Sequence, residues 1–284
     1  MAISAAQVKE LREKTGAGMM DCQRALAEAG GDLEEAVKIL RKKGLSAAAK
    51  KAGRAAKDGL VAIALSAEKD RAGMVELNCE TDFVARTEQY QAFAQALADQ
   101  VMQDGVAEVE KIKATRYIAD PLHTVSEAIG TQIATIGENI LLSRAAALKA
   151  GAGMQVGSYT HMGGKIGVIV ELSASADEET VKDIAMHVAA AEPRFVSRDT
   201  VPAAVVDEER EIAKAQAAAT GKPAQVLDKI AEGKLGKFFE QVCLVEQPFV
   251  KNPDQKVADL LKSRGDVVVR HFFRFKLGEG VPDA

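Results

Sequence analysis

Hydrophobic positions in the first fifty-odd residues recur at helical spacing and break at glycines. Ser4 and Gln7 form a capping-box signature ahead of Val8 and Leu11, and TGAG at 15–18 ends that run. Met19, Met20, Leu26 and Ala29 belong to a second helix, which stops at Gly30 and Gly31. Asp32 with Glu35 opens a third, with Leu33, Val37 and Leu40 on one face. The stretch 42–59, KKGLSAAAKKAGRAAKDG, is rich in Lys, Ala and Gly and has no acid until Asp58. Its first reading is a flexible solvated linker; its second is a strip that touches RNA or a partner. It marks a boundary after a three-helix unit over 1–54.

From Leu60 the pattern shortens. LVAIAL and GMVEL are apolar runs separated by the polar turn SAEKDRA, the pattern of a hairpin. Then comes NCETDFVAR, 78–86, and a helix with Tyr90, Phe93, Ala94, Leu97 and Val101 on one stripe. About 95 residues on, the plan recurs: GSYTH and KIGVIVEL pair through MGG, and EETVKDIAMHVAA follows with Val181, Ile184 and Val188 inward. The shared VEL at 75–77 and 170–172 anchors the repeat. The class is therefore α+β, with two related subdomains over 55–150 and 151–284. The second is interrupted at about 199–240 by charged helical sequence with TGKP in its middle, an antiparallel helical hairpin expected to project. The last element, DVVVRHFFRFKL, alternates Val267, Val269, His271, Phe273 and Phe275 with polar or outer positions and reads as a half-buried strand.

The two copies differ where strand gives way to helix. SASADEE in the second offers Asp177 as a cap and no aromatic, so the fold plan alone does not require Phe83. In the first copy Thr81 suits an N-cap and Asp82 the positive end of a helix dipole. Phe83 is either a core anchor or a probe directed at another molecule. Met19 and Met20 pose the same choice between core and adaptable docking surface.

Composition narrows the function. The 284 residues are 47% hydrophobic, 27% charged and 4% aromatic, without Trp, and the formal net charge is −4. That balance argues against a general nucleic-acid binder. Cys22, Cys79 and Cys243 lie far apart, which supports neither a disulfide framework nor a zinc site. No phosphate-binding glycine loop occurs, so direct nucleotide binding is not expected. His123, His161, His187 and His271 have no metal-ligand spacing; His187 and His271 read as satisfied core or edge histidines. A Cys79–His161 nucleophile pair lacks an orienting third group. The start MAISAAQVKELREK has no apolar targeting run and no segment approaches membrane-spanning length, so the expected compartment is the cytoplasm.

LREKTGAGMMDCQRAL, NCETDFVAR, IGENI, GSYTH, IAMHVAA and EQPFVK, in this order and spacing, resemble translation elongation factor Ts over essentially the whole chain. The resemblance implies a guanine-nucleotide exchange factor for the GTPase elongation factor Tu, without a cofactor of its own. It implies an N-terminal ubiquitin-associated-like three-helix domain before the two subdomains and their protruding hairpin. It places Asp82 and Phe83 between two helices of the partner near its magnesium, with Thr81 and Val84 completing that segment. Arg12, Met19, Met20, Ile136, Gly137, Glu138, His161 and Val250 match partner-contact positions. A homodimer or two-to-two complex is compatible with the family. Some members continue into a C-terminal helical module; this chain ends with RFKLGEGVPDA, so contact of that kind is not expected. The other readings are an adaptor using the three-helix domain and a Cys79-dependent enzyme.

Overall fold

The structure is a computed structural model that describes residues 3–218 and 224–280. Helices α1 (Ala5–Thr15), α2 (Met19–Glu28) and α3 (Leu33–Lys51) open the chain. Ser4 and Gln7 exchange backbone and side-chain hydrogen bonds in the expected capping box, Gly16 ends α1 at φ 65°, and the Asp32 carboxylate caps α3. Val8, Leu11, Cys22, Ala25, Leu26 and Ala36 form the unit's core.

The expected flexible linker is largely absent, because α3 continues through its basic stretch to Lys51. The small residues there serve packing. A Cβ at Gly44 would lie 3.2 Å from the Gly130 carbonyl oxygen, so α3 crosses α7 (Val125–Ile136) almost backbone to backbone. Ala48 packs on the neighbouring core, Lys51 donates to the Ile133 carbonyl, and Arg41 pairs with Glu127. Alanines favour the helix, and Lys50 and Lys51 in its last turn complement its dipole.

Strands β1 (Asp58–Leu65), β2 (Arg71–Cys79) and β5 (Leu141–Lys149) make an antiparallel sheet in the order β1-β2-β5. Between β2 and β5 run α4 (Asp82–Ala85), α5 (Glu88–Asp104), α6 (Val109–Ala114), the hairpin β3 (Arg116–Tyr117) and β4 (Asp120–Thr124), and then α7. The second half repeats the scheme. Strands β6 (Met154–His161) and β7 (Ile166–Ser173) pair, and α8 (Glu178–Ala191) follows. Strands β8 (Pro248–Phe249) and β9 (Asn252–Lys256), helix α11 (Val257–Ser263) and β10 (Val269–Lys276) correspond to β3, β4, α7 and β5, in the sheet order β10-β7-β6. The hairpin of α9 (Ala203–Ala218) and α10 (Ala224–Val242) stands between α8 and β8, with Val201, Phe239, Val242 and Cys243 at its base. TGKP at 220–223 lies outside the described residues.

Strand pleating sends alternate residues to opposite faces. Leu60, Val75, Leu77 and Leu142 meet Tyr90, Phe93 and Leu97 of α5, while Val168, Val170 and Leu172 meet Ile184 and Val188 of α8. The remaining faces, including Val61, Met74, Leu148, Ile169 and Phe275, pack the two sheets together. Gly167 makes that approach close: a Cβ there would sit 2.4 Å from Val61 Cγ1. Being covered on both sides explains why these strands read as continuous apolar runs.

The regular alternation expected along the last strand fails at one point. A bulge between Val269 and His271 shifts the register, so Val269 and Phe272 join the α8 side and Phe273 and Phe275 the inter-sheet side. His271 is left exposed. His187, by contrast, is the buried and satisfied histidine expected.

Candidate functional site

The turn after β2 is built from backbone groups fixed by two carboxylates. Thr81 caps α4, its Oγ1 accepting the Val84 N–H at 3.4 Å. The same hydroxyl donates to Glu138 Oε1 at 2.6 Å, and Glu138 Oε2 accepts the N–H groups of Glu80 and Thr81, each at 3.0 Å. Reciprocally, Glu80 Oε1 accepts the Asn139 N–H at 2.7 Å and an Arg54 guanidinium N–H at 3.4 Å. Asn139 Nδ2 donates to the Arg54 carbonyl at 2.8 Å. Glu138 reaches this position because Gly137 ends α7 at φ 89°, a conformation costly for other residues.

Sequence reading placed one helix after this turn; there are two. Helix α4 is a single turn, held by Ala85 in the core, and Thr87 then caps α5 by accepting the Tyr90 N–H. Val84 packs partly on the core, Asp82 pairs with Arg86 at 2.7 Å, and Phe83 points outward with 78% of its surface exposed. The core-anchor alternative for Phe83 is thereby excluded. A large aromatic in water forgoes roughly 1.5–3 kcal/mol of burial, so the turn holds it out at no benefit to the isolated fold.

The remaining sequence-predicted positions lie on other elements. Met19 and Met20, 53% and 64% exposed, start α2, so they form surface and not the core of the three-helix unit. Arg12 is exposed on α1. Ile136 packs partly on the first core, while Gly137 is exposed and Glu138 partly buried beside Thr81. His161, exposed at the end of β6, stacks on Tyr159 and pairs with its hydroxyl at 3.1 Å. Val250, 43% exposed in the β8–β9 turn, donates its N–H to His187 Nδ1 at 3.1 Å. The bond locks His187 neutral, since Nε2 then donates to Gln247 Oε1 at 2.9 Å, and burial lowers the histidine pKa.

The Cys79–His161 pair does not form. Cys79 is buried, burial pushes its thiol up to about 11, and Sγ donates to the Thr81 carbonyl. A thiol held protonated is a poor nucleophile. Among the described residues no cluster of His, Cys, Asp or Glu is fit to hold a metal ion, and no helix is long and apolar enough to cross a membrane. Sequence reasoning missed Glu80, Asn139 and Arg54 as partners in the clamp. The available signal was polar Asn139 beside Ile140, just ahead of the strand that begins at Leu141.

The fold is thus an α+β scaffold in which Glu80, Thr81, Glu138 and Asn139 bond to one another around a turn that holds one aromatic side chain exposed. The family model described as Elongation factor TS matches residues 80–279. An elongation factor Ts of Trichlorobacter lovleyi is 45% identical over 99% of this chain and 94% of its own length. One from Thioalkalivibrio sulfidiphilus is 47% identical over the same shares of the two chains. The chain belongs to the elongation factor Ts family and has a role in translation elongation.

Proposed function

We propose that this protein is a guanine-nucleotide exchange factor that binds elongation factor Tu carrying GDP, disturbs its magnesium site and promotes GDP release so that GTP can bind. The observation that carries this reading is the exposure of Phe83 on a turn clamped from both sides. The physics is linkage: a protein that binds the nucleotide-free GTPase more tightly than the nucleotide-bound form weakens nucleotide affinity by the same factor. Magnesium bridges the terminal phosphates, so shifting the partner helix beside it removes much of their electrostatic hold.

In this reading Phe83 is the wedge and Asp82 fixes the inserted segment through polar contacts. Thr81 and Val84 hold the turn from below. Arg12, Met19 and Met20 dock the three-helix unit, 1–54, on the same partner domain. Methionine suits that surface because its unbranched thioether adapts to irregular partners. Ile136 and Gly137 flank the wedge, and His161 and Val250 contact the partner from the second subdomain, 151–284. The protein acts in the cytoplasm and binds no nucleotide itself.

The test is release of labelled GDP from elongation factor Tu with and without this protein. Acceleration is expected; an unchanged rate at saturating protein would remove the exchange reading and leave the adaptor.

A further inference from the structure

Glu138 stands among the positions matched to partner contacts, yet its carboxylate faces inward. Both oxygens are engaged by the turn, with three donors at 2.6–3.0 Å from Glu80 and Thr81. Hydrogen bonds to an ionised acceptor are about twice as strong as neutral ones. Three of them on adjacent groups therefore fix the backbone direction on which Phe83 depends. Little of the carboxylate remains for another molecule.

The support extends backwards. Glu138 follows Gly137 at the end of α7, the helix that α3 crosses at Gly44 and Gly130. Arg54, just beyond α3, enters the same clamp through its guanidinium on Glu80 and its carbonyl on Asn139. The wedge turn is thus tied to the helix on which the three-helix unit rests.

We infer that Glu138 is a positioning residue for exchange: it holds the turn that presents Phe83, and its contribution passes through Phe83 and not through a contact of its own with the partner. The inference rests on the reading of Phe83 as the exchange element. Glu138→Gln retains an amide oxygen for the two N–H groups and an NH2 that donates to Thr81 Oγ1. Glu138→Asp keeps the charge but shortens the reach by one methylene.

The experiment measures the maximal rate of stimulated GDP release for Glu138→Ala, Glu138→Gln, Glu138→Asp, Phe83→Ala and the double variant Glu138→Ala/Phe83→Ala. It is paired with amide hydrogen exchange at Glu80 and Thr81. Glu138→Ala is expected to lose about tenfold alone and less than about twofold in the Phe83→Ala background, since residues acting as one unit are not additive. Glu138→Gln should retain more activity than Glu138→Asp, and the Glu80 and Thr81 amides should lose protection in Glu138→Ala. A full rate for Glu138→Ala, multiplicative losses in the double variant, or a greater loss in Glu138→Gln than in Glu138→Asp would each overturn the positioning role. Should Glu138→Ala not fold, the Gln and Asp order decides. A full rate for Phe83→Ala alone would instead defeat the underlying reading of the wedge.

Discussion

The two copies of the repeat solve the same problem, leaving a strand and starting a helix, with turns of different length. Ten positions separate Leu77 from the helix cap Thr87; five separate Leu172 from the matching cap Asp177. The short version is sufficient for folding: Asp177 Oδ1 accepts the Thr180 N–H at 2.8 Å and α8 begins at once. The long version inserts a one-turn helix, buries Ala85 and exposes Phe83. The excess residues and the clamp that holds them go beyond what the second copy uses to join strand to helix, and in the proposed function they carry the exchange element.

The sharpest way to break the comparison is to give the first copy the second copy's turn, replacing residues 78–87 with the five-residue SASAD. The protein should still fold, because the Asp of SASAD takes over the cap of α5, the α5 core face from Tyr90 to Val101 is untouched, and Asn78, Cys79 and Ala85 are the only buried residues given up. Stimulated exchange should vanish, a loss of the order of the 5–150-fold typical of coupling between sites. A chimera that still stimulates release would show that exchange does not reside in this turn. Thr81→Ala is milder. It removes a cap, at about 1 kcal/mol, together with the hydroxyl that donates to Glu138. Both melting temperature and exchange rate should fall, whereas Thr81→Ser should restore both.

The smallest effect concerns the second copy's helix. His187 lies ten positions after its cap, as Leu97 does in α5, and both are fully buried. Burial lowers the His187 pKa, so the unfolded chain takes up the proton more readily. The associated stability is complete above the ordinary value of about 6.5 and is lost as pH falls through the depressed folded value. Thermal melts at pH 7.5 and 5.5 should show a larger drop for the native protein than for His187→Gln. Equal drops would mean that His187 does not set the acid limb.

Much of this architecture is legible in the residues because it rests on local physics. The capping box at Ser4, the strand pairs and the repeat follow from caps and periodicity, which act over a few positions. Three features escaped for the same reason reversed. Gly44 reads as a break until Gly130 is known to lie against it. The bulge at Val269 depends on how β10 meets β7. The clamp joins Arg54, Glu80 and Glu138 across 26 to 58 positions, and no spacing rule connects them. At the candidate site, Phe83 was distinguishable from a structural residue only by contrast with the second copy. Its exposure required the fold.

The most direct test of the central claim compares Phe83→Ala with the native protein in two readouts, stimulated GDP release from elongation factor Tu and thermal unfolding. An aromatic anchor at the centre of an interface typically contributes ~2 kcal/mol or more, so release should slow about thirtyfold while the melting temperature stays unchanged. A variant that releases GDP at the native rate, or that loses its activity only by unfolding, would contradict the account.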